Sequence, residues 1–208
     1  MPAATLRALT AALALAAQVA AAQPVDRGFF LVAKPDLFDP NFSQTVVLAT
    51  HAPDGSTLGV IVNRPTKRSL ASILPDDEKL ARFTEPLYFG GPVERGGLFA
   101  VFRSATSPGR SFPVIEDLHL ALDPATVEQL LKAPPAALRL FIGYSGWAPG
   151  QLTGELARGG WWIVEADPET VFRKDTGTLW DELSRRARSV TALRERPAPA
   201  ASGRLASR

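Results

Sequence analysis

The chain has 208 residues, 46% hydrophobic and 21% charged, with 16 Gly and 18 Pro, enough to build one domain with a sizeable core and too apolar for a wholly disordered protein. It contains no Cys, two His and one Met, so disulfides, thiolate metal sites, a Cys nucleophile and a His-rich metal cage are all excluded. The net charge of +2 is unevenly spread: Arg7 is the only charge in residues 1–22, and six arginines face one acid, Glu195, from Arg186 onward. Between Gln23 and Arg185 there remain 16 bases and 20 acids, a net −4, so the basic pI of about 9.2 comes from the two ends. A duplex-binding domain carries its basic stripe on the fold itself, so nucleic acid is not an expected partner.

Residues 1–22 have the pattern of a secretory signal: Arg7, the apolar run Ala11–Ala17, then the small residues Ala20, Ala21 and Ala22 before a cleavage point at Gln23. The expected location is therefore periplasmic or secreted, or cytoplasmic if the leader is not cleaved. No further stretch is long and apolar enough to predict a transmembrane span. From Arg186 the composition turns to Arg, Ala, Pro and Ser, predicting a frayed helix ending near Leu193 and then a flexible tail. The division is a leader at 1–22, one domain at 23–185 and a tail at 186–208.

In chain order, β-branched and aromatic runs predict strands at Phe29–Ala33 and Gln44–Thr50, separated by the turn signal Asp39-Pro40-Asn41. Pro53-Asp54-Gly55-Ser56 predicts a hairpin turn into a strand at Leu58–Val62. A short helix is expected over Ser69–Leu74, a second could start at Pro75–Glu78, and further strands at Leu87–Phe89, Gly97–Arg103 and Leu118–Leu122. Asp123-Pro124 is an N-cap and first-turn pair for a helix over Pro124–Lys132. A strand at Leu138–Ile142 runs into Gly143-Tyr144-Ser145-Gly146-Trp147, read as a tight turn before a helix at Pro149–Arg158. Trp161–Glu165 is a strand, and Asp167-Pro168 opens another helical stretch. Strands outnumber helices without a βαβ alternation, which indicates α+β with a mixed or antiparallel sheet.

Four segments in register carry a resemblance: Gly28 to Val47 (GFFLVAKPDLFDPNFSQTVV), Leu58 to Pro65 (LGVIVNRP), Leu87 to Val93 (LYFGGPV) and Phe141 to Leu156 (FIGYSGWAPGQLTGEL). Together they make the chain resemble the YqgE/AlgH family of bacterial proteins over Gly28 to about Phe172. The resemblance implies a single α+β domain with a small closed barrel-like sheet flanked by helices. It implies no reaction, because the family is functionally uncharacterised, with a transcriptional-regulator label on some members. This chain departs from the family in keeping only His51 of a Glu-His-Asn-like segment, in having Thr153 after Gln151-Leu152, and in its leader.

Gly143-Tyr-Ser-Gly-Trp invites comparison with a nucleophile elbow, but that motif needs Gly where Trp147 stands, and both histidines, His51 and His119, precede Ser145. No catalytic residue is assigned. Gln151 and Glu155 are four apart and share a helix face beside that turn, where Tyr144 and Trp147 offer flat surface with a polar tip. They form either a binding cleft or a core with satisfied loop amides. Asp39, Asn41, Asn63 and Arg64 lie at strand ends, where Asp and Asn cap turns and Arg64 can pair with Asp39 or hold an anion. Gly90-Gly91-Pro92 is a bulge or tight turn rather than a phosphate cradle, since no Lys-Ser/Thr follows. No metal or cofactor set is present in the pattern. The expected function is a non-catalytic small-ligand or protein-binding module of the cell envelope, its partner an unidentified small ligand or envelope protein. The alternatives are a hydrolase or transferase using Asp39, Arg64, Glu155 or Ser145, and the family's regulator role on DNA, which the leader and acidic body oppose.

Overall fold

A computed structural model describes residues 28–106 and 108–194; the expected leader at 1–22 and the tail beyond Arg194 lie outside them. Ten strands form one mixed sheet: β1 Phe29–Ala33, β2 Val46–His51, β3 Thr57–Ile61, β4 Pro65–Ser69, β5 Pro86–Phe89, β6 Val93–Arg103, β7 Phe112–Ile115, β8 Leu118–Ala121, β9 Leu138–Trp147 and β10 Trp161–Glu165. Five helices accompany them: α1 Leu70–Ile73, α2 Pro124–Lys132, α3 Gln151–Ala157, α4 Pro168–Phe172 and α5 Leu179–Arg194. The main path runs β10-β1-β2-β3-β9-β6-β8-β7, and β5 adds to β9 in parallel while pairing with β4. The fold is α+β, as the pattern of strands and helices indicated.

β1 is buried along its whole length because both faces are covered. Phe30 and Val32 face one core with Val60, Tyr88, Phe141 and the α5 residues Leu179 and Leu183. Phe29, Leu31 and Ala33 face a second core with Ile61, Trp147, Leu152 and Trp161. A third cluster holds α2 against β6 through Ala100, Phe102, Val127 and Leu130. Helix starts follow their caps: Asp123 accepts from the Thr126 amide ahead of Pro124, and Asp167 accepts from the Thr170 amide ahead of Pro168.

Several expectations are corrected. The sheet is open and does not close into a barrel: its path ends at β10 on one side and β7 on the other. β7 only touches the start of the other half, through Gly28 N–H to the Val114 carbonyl and Thr50 Oγ1–H to the Pro113 carbonyl. Residues 143–147 are not a turn but the end of β9, paired with β3 and β6. Gly143, at φ +70°, stands opposite residues 94–97 where the β6–β9 register shifts, and there the side-chain alternation resets, so Phe141 and Tyr144 both face the first core while Trp147 faces the second. Pro75–Glu78 forms turns rather than a helix, and the helix expected from Pro149 begins at Gln151. β4 and β7 were not anticipated: Pro65-Thr-Lys-Arg-Ser is polar, and Pro113 interrupts the short run Phe112–Ile115. α5 ends at Arg194, close to the helix end expected near Leu193, and Ala187 in it is buried.

Candidate functional site

Asp39 and Asn41 lie on the loop between β1 and β2, which Asn63 and Arg64 brace, while Trp147, Gln151 and Glu155 form a second cluster that Phe42 of that loop touches. The loop turns at Asp39, whose carboxylate accepts the Asn41 amide at 2.7 Å. Arg64, at the end of β3, donates to the carbonyls of Asn41 at 2.6 Å and Ser43 at 2.8 Å. The expected Arg64–Asp39 ion pair does not form; Asp39 acts on the guanidinium only through space, and burial lowers the Arg64 pKa from its ordinary value. A guanidinium suits this place because its fork meets several carbonyls at once. Asn63 works alongside, accepting the Val46 amide at 2.8 Å and donating to the Gln44 carbonyl at 3.0 Å. That bracing holds Gln44 at φ +55°, an uncommon conformation for a non-glycine residue.

Phe42 carries the loop into the second core, with its ring 5.9 Å from Trp147 and 5.5 Å from Trp161. Both indoles donate to one oxygen of Glu155, Trp147 Nε1 at 3.0 Å and Trp161 Nε1 at 2.9 Å. Gln151 donates to the other oxygen at 3.1 Å and accepts the Ala148 amide. The i,i+4 relation of Gln151 and Glu155 on one helix face is therefore realised as a direct contact. Glu155 joins α3 to β9 and β10.

Tyr144 stands apart from the other seven, packed edge-on against Phe99 at 5.3 Å in the first core. Burial, with Glu94 nearby, raises its pKa. Ser145 is fully buried and donates to the Gly90 carbonyl at 2.9 Å, so its hydroxyl is held as a structural donor. Gly90 also donates to the Ile142 carbonyl and accepts from the Ile61 amide, which spends the Gly-Gly segment on strand pairing. Among the described residues, no three His, Asp or Glu side chains gather as metal ligands, and no helix is long and apolar enough to cross a membrane.

Sequence reasoning missed Arg95 and Trp161. Arg95 donates to Asn41 Oδ1 at 2.8 Å and lies over the Phe89 ring. Its position in Glu94-Arg-Gly-Gly gave no signal, because β6 begins four residues earlier than the apolar run. Trp161 was legible: of two adjacent tryptophans in a strand, one must face each side. The second wall of the assembly is a polar groove of about 300 Å³ between Gln44, Asn63 and Arg64 on one side and Thr176 and Asp181 on the other.

Comparison with known proteins agrees with this architecture. A UPF0301 protein of Streptomyces coelicolor is 38% identical over 171 residues, covering 80% of this chain and 89% of its own. A UPF0301 protein of Mycobacterium tuberculosis is 35% identical over 173 residues, covering 80% and 84%. The solution structure of the AlgH protein from Pseudomonas aeruginosa superposes with a TM-score of 0.63 at 27% identity, covering 83% of this chain and 95% of that one. A Corynebacterium diphtheriae protein shares the fold at a TM-score of 0.62 and 24% identity, covering 84% and 88%. Residues 30–191 match the family described as AlgH-like, and the chain belongs to that family.

Proposed function

We infer that the chain is a non-catalytic binding or regulatory module of the cell envelope, taking a small ligand or a protein partner. What supports this is the use made of Glu155: its carboxylate receives three side-chain N–H bonds, two of them from buried indoles. A general acid or base has to exchange its proton with a substrate, whereas the bonds this carboxylate accepts tie two strands to a helix. The groove beside Asn63 and Arg64 is the binding surface this reading assigns, walled by the loop whose backbone those two side chains brace. The envelope location rests on the leader pattern of residues 1–22, and the acidic body argues against the DNA-binding label.

Native mass spectrometry of the chain purified from its own host tests the reading. A non-covalent adduct or co-purifying protein is expected, lost on filling the groove with Asp181→Trp at its exposed wall, and the mature N-terminus is expected at Gln23. Turnover of a substrate that Glu155→Gln abolishes without unfolding the chain would instead establish the hydrolase or transferase alternative.

A further inference from the structure

The two edges of the sheet are not equivalent. At the β7 edge, the carbonyls of Pro113 and Val114 are taken by Thr50 and Gly28. At the β10 edge the register gives the opposite result. Lys34 N–H bonds the Gly160 carbonyl, and the ladder continues Ala33 opposite Trp161 to Phe29 opposite Glu165. Alternation along an antiparallel pair then points the backbone groups of Trp162 and Val164 at β1 and those of Trp161, Ile163 and Glu165 outward. On its other side, β1 agrees: Ala33 N–H goes to the Thr45 carbonyl of the β2 side. Among the described residues, no backbone partner meets the outward groups of β10.

Exposed edges are ordinarily blunted by proline, a bulge or a central charge. Trp-Trp-Ile-Val-Glu has none of these before its last residue, and Ile163 at its centre is 49% exposed. α5 begins over β1, where Trp180 donates to the Ala33 carbonyl, and its second half lines a groove of about 480 Å³ along β10 with Arg186, Ala187, Val190 and Thr191. Val190 there is 44% exposed. The groove is basic at its Trp162 end, where Lys34 and Arg188 both lie over that ring, at 5.5 and 5.9 Å; at its other end Arg186 on the wall faces Glu165 and lines an adjoining pocket with Glu116, Asp167 and Glu169.

We propose that the β10 edge receives an extended acidic segment of a partner protein, which adds to the sheet as an eleventh strand beneath the second half of α5. Main-chain bonds to Trp161, Ile163 and Glu165 supply the affinity; alternate aliphatic side chains cover Ile163 on one face, and alternate carboxylates meet Lys34, Arg186 and Arg188 on the α5 face. A second copy fits less well, because pairing β10 with itself brings two helices bearing Arg185, Arg186 and Arg188 to one edge. This surface is separate from the groove beside Arg64, so either reading can fail alone.

The test uses the full chain and a dye-labelled peptide of alternating Val and Glu, with its Val-Lys counterpart as control. The acidic peptide is expected to bind saturably and to shift the amide resonances of Trp161, Ile163 and Glu165. Arg186→Glu is expected to weaken it at least ~10-fold. N-methylating the peptide amides on one edge is expected to abolish binding, and on the other edge to spare it. Ile163→Glu and Val190→Glu sit at exposed positions, so they should fold normally while losing the peptide. Equal binding of the lysine peptide, indifference to N-methylation, or no binding of either peptide overturns the proposal. So does self-association that Ile163→Glu disperses, since it assigns the edge to a second copy.

Discussion

Replacing Glu155 by Ala removes the only acceptor the structure gives to two indole N–H groups, those of Trp147 and Trp161. Both rings are 3% exposed, so neither donor turns easily to water. A stranded buried donor costs ~1–3 kcal/mol, and some water reaches the space vacated by the half-buried carboxylate, so the pair together should cost about 2–4 kcal/mol. For a domain of this size that is a fall in Tm of roughly 5–12 °C. Glu155→Gln keeps one oxygen for both indoles but turns an amide towards Gln151, and should cost only about 1 kcal/mol. Urea unfolding followed by tryptophan emission measures both variants, and the slope of the transition should be unchanged. An alanine variant within about 0.5 kcal/mol of the parent would refute the claim that this carboxylate is a structural bridge, and would fit a group retained for binding at a cost in stability.

Arg64→Lys should cost about 1–2 kcal/mol and speed hydrogen exchange at residues 41–46, because one ammonium cannot serve the carbonyls of Asn41 and Ser43 in fork geometry. Gly143→Ala should cost at least about 2 kcal/mol by denaturant midpoint, since φ is +70° and the new methyl meets the carbonyls of Gly91 and Val93. Glu182, bonded by Arg173 and Thr178, has its pKa lowered from 4.5 to about 2. Its folded value is the depressed one, so the stabilisation is present above about 4.5 and disappears as pH falls through about 2. Glu182→Gln should therefore flatten the acid limb of stability against pH, and a carboxyl resonance titrating near 4.5 in the parent would contradict this.

The strands that read most clearly are short aromatic and β-branched runs. Phe29–Ala33, buried on both faces, and Trp161–Glu165, half-exposed at the sheet edge, were both predicted to the residue. The helix at Pro124–Lys132 was equally legible because its cap is local. β4 and β7 were hidden because pairing with neighbours, rather than their own composition, makes them strands. The end of β9 was misread because glycines at 143 and 146 signal a turn, whereas one of them sits where a ladder shifts its register. The site was legible as a list and not as a network. Asp39, Asn41, Asn63 and Arg64 form one cluster and Trp147, Gln151 and Glu155 another, but Phe42 and Trp161, which join the two, carry no polar motif. Tyr144 was placed with them by proximity in sequence, and the register shift turns it to the opposite face.

Pairing Phe29 with Glu165 has a kinetic consequence. The first described strand is flanked by β2, made soon after it, and by β10, made only when most of the chain exists. Until β10 docks, β1 offers one bare rim, and the loop that must close is nearly the length of the domain. Closing so long a loop is entropically expensive before any contact repays it, so folding should proceed slowly and finish late. A chain whose first strand waits for its last stays threadable while it is being made.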